Sequence, residues 1–148
     1  NRSIVCDPNI ADMKDILNSK VKFREWYRPF APFCKKEEAH KYFDSPNFEN
    51  LEYMSYAPRV KVDTLPSITH VDGTARLQTV TEKSHSHFYE LLTEFGKISE
   101  TNVLLNTSFN IRGYPILSTI DDALYALNNT DMDHVVIEDY LFTKREVQ

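Results

Sequence analysis

NVLLNTSFNIRGYPIL, residues 102–117, is the stretch on which the reading of this chain turns. Val103, Leu104 and Leu105 form an apolar run of the length a buried strand uses. The run stops at once in Asn106, Thr107, Ser108 and Asn110, and Arg112, Gly113 and Pro115 follow. A buried strand that ends in short amides and hydroxyls marks the edge of an open α/β sheet, where ligands bind. Asn106 and Asn110 can donate and accept, Ser108 can do either, and Arg112 offers a planar fork suited to phosphate or carboxylate. Gly113 lets backbone approach a ligand, and Pro115 stiffens the exit. An Asx-rich loop that satisfies its own backbone would use the same residues for structure alone. The guanidinium tips the reading towards a polyanion site.

Helices and strands alternate on both sides of this stretch. DPNIADMKDILNSK (7–20) predicts a helix capped by Asp7, with Pro8 in its first turn and Ile10, Met13, Ile16 and Leu17 on one face. Pro29 and Pro32 exclude a regular helix over 21–33. KKEEAHKYF reads as a short helix, 47–57 as irregular, and PRVKV as a strand. LPSITHVDGTARLQTV predicts two β halves around the turn dipeptide Asp72-Gly73. SHFYELLTEFGK predicts a helix with Phe88, Leu91, Leu92 and Phe95 on one side and Gly96 near its stop. STIDDALYALNNT predicts another, capped by Thr119 with Asp121 and Asp122 in its first turn. DHVVIEDYLFTK closes as one strand or two with a bend, and 144–148 as a frayed end. The pattern implies a layered α/β arrangement with a mixed sheet, and 148 residues suit one domain.

Several chemistries lack their residues. Three glycines, Gly73, Gly96 and Gly113, cannot build a phosphate loop or a dinucleotide fingerprint. His85-Ser86-His87 sits at a helix start, where polar residues are expected without a metal. The net charge of −5 disfavours a surface dedicated to nucleic acid, though not a local basic pocket. No apolar run approaches the ~20 residues that span a bilayer. Cys6 and Cys34 are expected as reduced thiols of a cytoplasmic protein. The chain shows no signal-peptide pattern and does not begin with Met, so Asn1 is expected to be a cut within a longer chain.

Two further basic clusters accompany Arg112. Lys22, Arg24 and Arg28 lie among Phe23, Trp26, Tyr27, Phe30 and Phe33. Either the aromatics fill the core while the cations reach water, or they hold the cations on a low-dielectric wall where charge acts strongly on an anion. Arg76 follows a tight turn that also carries Thr69, His70, Asp72 and Thr74.

KFREWYRPFAP, THVDGTARLQTV and NVLLNTSFNIRGYPI, followed by DALYALNNTDMDHVVIEDYLFTK, resemble the C-terminal domain of NodU/CmcH-type O-carbamoyltransferases over nearly the whole chain. The resemblance implies a YrdC-like domain, a twisted mixed sheet flanked by helices in three layers with a positive concave face. It implies that carbamoyl phosphate and ATP, with Mg²⁺ on the triphosphate, become carbamoyl adenylate. An N-terminal actin-like ATPase-fold domain, absent from this chain, would pass the carbamoyl group to a hydroxyl. Carried over residue by residue, Arg28, Arg76 and Arg112 are the expected catalytic cations. Lys22, Asn106, Ser108 and Asn110 are the expected substrate- and nucleotide-binding residues, and no metal site is expected. Arg24, His70 and Asp72 belong to the motifs without an assigned contact. The chain departs from the family pattern in lacking a GPRALG-like segment before NRSI and in carrying Tyr114 after IRG. A non-catalytic nucleotide- or anion-binding module, and an RNA-binding YrdC-like domain, remain as alternatives.

Overall fold

The computed structural model describes residues 2–45, 47 and 49–144. In chain order its elements are β1 (Ser3–Cys6), α1 (Met13–Ile16), β2 (Ala31–Lys35), α2 (Ala39–Tyr42), β3 (Phe43–Asp44) and β4 (Arg59–Val60). There follow β5 (Gln78–Val80), α3 (Ser86–Phe95), β6 (Val103–Ser108), α4 (Ile120–Asn129), β7 (His134–Ile137) and β8 (Tyr140–Thr143). Two compact units divide them. A sheet unit takes Ile4–Lys14 and Pro29–Thr107; a hairpin unit takes the chain up to Ser3, Asp15–Arg28 and the stretch from Ser108 on.

The sheet unit is built on four strands in the order β1-β6-β2-β5. β2 runs antiparallel to β6, with Phe33 opposite Leu104, and parallel to β5, with Phe33 beside Gln78. The predicted mixed α/β sheet is therefore present. Ala31–Lys35 is a strand that the two prolines hid. Pro32 has no N–H for a ladder, and pairing with β5 begins only after it, at Phe33. Phe33, Val80, Leu92 and Leu104 form a buried cluster on one face, with Phe88 and Phe95 packed against it. Phe88, Leu92 and Phe95 recur at helical spacing, which turns α3 onto the sheet; Leu91, predicted on the same side, is exposed.

Three local expectations differ from the structure. The helix predicted from Asp7 is turn as far as Asp12, and α1 starts at Met13. Asp7 Oδ1 accepts the Asn9 N–H, while Ser67 donates to the Pro8 and Ile10 carbonyls, so these groups have partners outside a helix. The first β half of 65–80 is instead a 3-10 turn, Pro66–Ile68, although the Asp72-Gly73 turn forms and Gly73 takes φ +78°. PRVKV is strand only over Arg59–Val60, paired with Phe43–Asp44.

In the hairpin unit, α4 begins with a capping box: Thr119 Oγ1 accepts the Asp122 N–H and the Asp122 carboxylate accepts the Thr119 N–H. Ala123, Ala126 and Leu127 form its buried side, and it packs on β7. β7 and β8 pair antiparallel around Glu138 and Asp139, the two-strand form of the closing segment. Lys144 is tied to the Thr130 carbonyl rather than frayed; 145–148 lie outside the described residues. Cys6 and Cys34 are not joined in a disulfide. Among the described residues no helix is long and apolar enough to cross a membrane.

Candidate functional site

In the hairpin unit, the chain after α1 widens into a π-turn over Leu17–Val21, closed by the Lys22 N–H on the Leu17 carbonyl at 2.7 Å. Phe23 then takes φ +49°, a left-handed conformation rare for a bulky residue, and the chain turns sharply. Asn18, 1% exposed, holds that turn together. Its Nδ2 donates to the carbonyls of Trp26 (3.2 Å) and Arg28 (3.0 Å), and its Oδ1 accepts Arg24 Nε at 2.7 Å. The Arg24 N–H returns to the Asn18 carbonyl. Sequence reading passed over Asn18; its signal is an amide in the buried Leu17–Val21 turn, four residues before Lys22.

Lys22 is the buried cation of this loop, 4% exposed. Its Nζ donates to the Ser108 carbonyl at 2.6 Å and to Asn110 Oδ1 at 2.7 Å. Ser108 Oγ also donates to Asn110 Oδ1 (2.6 Å), and Asn110 Nδ2 donates to the Tyr114 carbonyl (3.2 Å). The three predicted binding residues Lys22, Ser108 and Asn110 thus meet and brace the loop that carries Arg112. Gly113 in that loop takes φ +80°. Burial, then the charges of Arg24 and Arg28, pull the Lys22 ammonium down to about 8. Arg24 is lowered too, by burial and then by Arg28.

Arg28 stands 3.7 Å from Glu25 in an exposed ion pair. The Glu25 carboxyl is held below its usual range by its own backbone N–H and by the charges of Arg28, Arg112 and Arg24, which places all three guanidiniums in its field. Neither reading of the aromatic run fits whole. Phe30 and Phe33 are buried, but Trp26 and Tyr27 are 74% and 62% exposed while Lys22 is inside.

Arg76 and Asn106 belong to the sheet unit. Asn106 donates through Nδ2 to Gln78 Oε1 at 3.4 Å, and its buried Oδ1 has no partner among the described residues. Exposed Arg76 follows a polar turn in which Asp72 Oδ1 accepts both the N–H and the hydroxyl of Thr74 (3.0 and 2.7 Å). His70 Nδ1 lies 3.0 Å from Thr74 Oγ1, and among the described residues the buried His70 Nε2 has no partner. Among the described residues no group of three His, Cys, Asp or Glu side chains could hold a metal ion.

The family model described as "Carbamoyltransferase C-terminus" matches residues 1–144. The chain is 43% identical to Nodulation protein NolO of Bradyrhizobium diazoefficiens over 98% of its own length and 27% of that protein's. It is 38% identical to Nodulation protein U of Rhizobium tropici, covering 99% of the chain and 25% of the relative. It is 35% identical to the 3'-hydroxymethylcephem-O-carbamoyltransferase of Amycolatopsis lactamdurans, over 99% and 28% respectively. The chain spans about a quarter of the length of these curated relatives.

Proposed function

Because the chain belongs to the carbamoyltransferase C-terminal family, we propose that it binds ATP and carbamoyl phosphate and forms carbamoyl adenylate for O-carbamoylation of a hydroxyl acceptor. The observation that carries this reading is the burial of Lys22 beside Arg24 and Arg28, with no carboxylate among the groups that shift it. A desolvated ammonium facing like charges is unfavourable until an anion joins it. A phosphate chain supplies that anion.

In the reaction proposed, water releases phosphate from carbamoyl phosphate and leaves carbamate. A carbamate oxygen then attacks the α-phosphorus of ATP, and pyrophosphate departs. Charge builds on phosphoryl oxygens in both steps, and fixed guanidiniums stabilise it without reorganising. Arg28 and Arg112 take that role, with Lys22 held in place through Ser108 and Asn110. Within the sheet unit, Arg76 and Asn106 are proposed as substrate contacts in their own right. Magnesium would arrive on the triphosphate. Transfer to the acceptor, the YrdC-like character of the domain and a cytoplasmic location belong to the same proposal. So does the partnership with an N-terminal domain.

Carbamoyl-phosphate-dependent pyrophosphate release tests it, measured on this chain and on the longer protein expected to carry it. Arg28→Ala and Arg112→Ala should each abolish release. Unchanged release in both variants would remove the proposal.

A further inference from the structure

In the hairpin unit, β7 and β8 make a two-stranded ribbon with apolar side chains on both faces. Val135 stands opposite Phe142, and Val136 opposite Leu141. Side chains alternate along a strand, so these two pairs point to opposite faces. The first pair lies on the inner face, where Val135 is buried and β7 packs on α4. The second pair faces solvent: Val136 is 69% exposed and Leu141 65%. An antiparallel ribbon with one solvated face ordinarily alternates apolar-in with polar-out. Here the outer face has one polar pair, His134 opposite Thr143, with His134 Nδ1 3.0 Å from Thr143 Oγ1.

The edges of the ribbon are as open as its outer face. Among the described residues no third strand pairs with β7 or β8. Natural sheets guard such edges with Lys, Pro or a bulge. HVVIEDYLFT, residues 134–143, contains no Lys, Arg, Pro or Gly. Acidic side chains flank the apolar centre instead, with Asp133 before β7 and Glu138 and Asp139 at the turn, all exposed. The basic residue that follows, Lys144, is bonded to the Thr130 carbonyl. The complementary surface is an apolar strip flanked by Lys or Arg.

Area decides between a tethered occupant and a free one. Four residues at ~3.4 Å each, on two strands ~5 Å apart, give the outer face on the order of 150 Å². A stable interface between separate proteins takes about 800 Å² on each side. A patch this small falls short of what a second copy or a free peptide needs. It stays covered when its partner is tethered beside it, at an effective concentration of about millimolar. This chain spans 25–28% of the length of its curated relatives and matches a family model described as a C-terminus, so most of such a relative precedes the matched part.

We propose that the outer face of the β7–β8 ribbon, centred on Val136 and Leu141, is the docking surface for the preceding part of the same polypeptide, through an apolar strip flanked by basic side chains. The proposal rests on the partnership with an N-terminal domain and not on the adenylate chemistry. Pyrophosphate release can therefore fail with the docking surface intact, and the reverse.

Amide hydrogen exchange over 134–143, compared between this chain and the longer protein expected to carry it, tests the proposal. Exchange should be slower by at least about tenfold in the longer protein. Leu141→Lys in the longer protein should return it to the rate of this chain alone. The amides of β6 should keep their protection in that variant, which reports that it is folded. A photo-crosslinking benzoylphenylalanine at position 141 of this numbering should join to a peptide from the preceding part of the same molecule. Equal exchange in the two proteins, or slowing that survives Leu141→Lys, overturns the proposal. So does a crosslink between copies, or protection that appears in this chain alone as its concentration rises, since either assigns the face to a second copy.

Discussion

Lys22 Nζ lies 2.7 Å from Asn110 Oδ1, joining residues 88 apart in the chain by a bond inside the protein. The same ammonium bonds the Ser108 carbonyl, so one buried charge fixes both ends of the turn before Arg112. Its proton is weakly held, near 8 against an ordinary 10.5. Between those values the folded state carries fewer protons than the unfolded one, so Lys22 makes stability rise with pH in that window. The difference in unfolding free energy between wild type and Lys22→Met should therefore grow in favour of the wild type from about pH 8 to about 10.5. Urea melts at a series of pH values measure it, and a difference that is flat or falls across the window contradicts the assignment.

An anion bound beside Lys22 reverses the preference by favouring the protonated form. ATP affinity should then fall as pH rises from 7.5 to 9.5, with proton uptake on binding. Calorimetry in two buffers of different ionisation heat reads both quantities. Lys22→Met should remove the proton uptake; uptake that survives in the variant would assign the proton to another group.

Asn18 makes three side-chain bonds from a buried position to Trp26, Arg28 and Arg24. Asn18→Leu keeps the volume and deletes all three, leaving two carbonyls to find new partners. The expected loss is about 2–4 kcal/mol, at about 1 kcal/mol per bond with a penalty for any group left unsatisfied. Chemical denaturation gives the number, and a loss below about 0.5 kcal/mol would mean the loop is held by other contacts.

Gly96 ends α3 at φ −65°, so its lack of a side chain is not needed for a left-handed turn. A Cβ there would sit 1.5 Å from Asn102 Oδ1. Asn102 cannot easily withdraw, because its Nδ2 donates to Glu38 at 2.6 Å and its backbone N–H to the Tyr42 hydroxyl at 3.0 Å. Gly96→Ala should cost about 1–3 kcal/mol, the range for overpacking. In an Asn102→Ala background the same change should become neutral or favourable. A double-mutant cycle without coupling would refute the clash.

Thr119→Ala removes the hydroxyl half of the capping box on α4 and should destabilise by about 1 kcal/mol. The Asp122 carboxyl is held low, first by the Thr119 hydroxyl and then by the Thr119 N–H. Its contribution is present above the unfolded value and is lost as pH falls through the lower folded one. The cost of Thr119→Ala should therefore shrink in acid, and thermal melts at pH 7 and pH 3 compare the two.

What was legible in the sequence was local. Thr119 with Asp122, the stripe of Phe88, Leu92 and Phe95, and the apolar run ending at Asn106 each carry their signal within a few residues. So do the turn at Asp72-Gly73 and the family motifs. Propensity failed where distant groups took over backbone partners. Ser67 claimed the carbonyls of Pro8 and Ile10 and delayed α1, and Pro32 sits in a strand because its neighbour on that side pairs only from Phe33.

The sequence by itself determined the family, the mixed α/β character and the presence of a cation-rich loop, since these follow from residue type and short-range spacing. Only the tertiary structure decided that Lys22 is buried while Trp26 and Tyr27 face solvent, and that Lys22, Ser108 and Asn110 spend their bonds on one another. Burial and proton placement depend on which groups from far along the chain arrive within 3 Å, and no local pattern encodes that arrival.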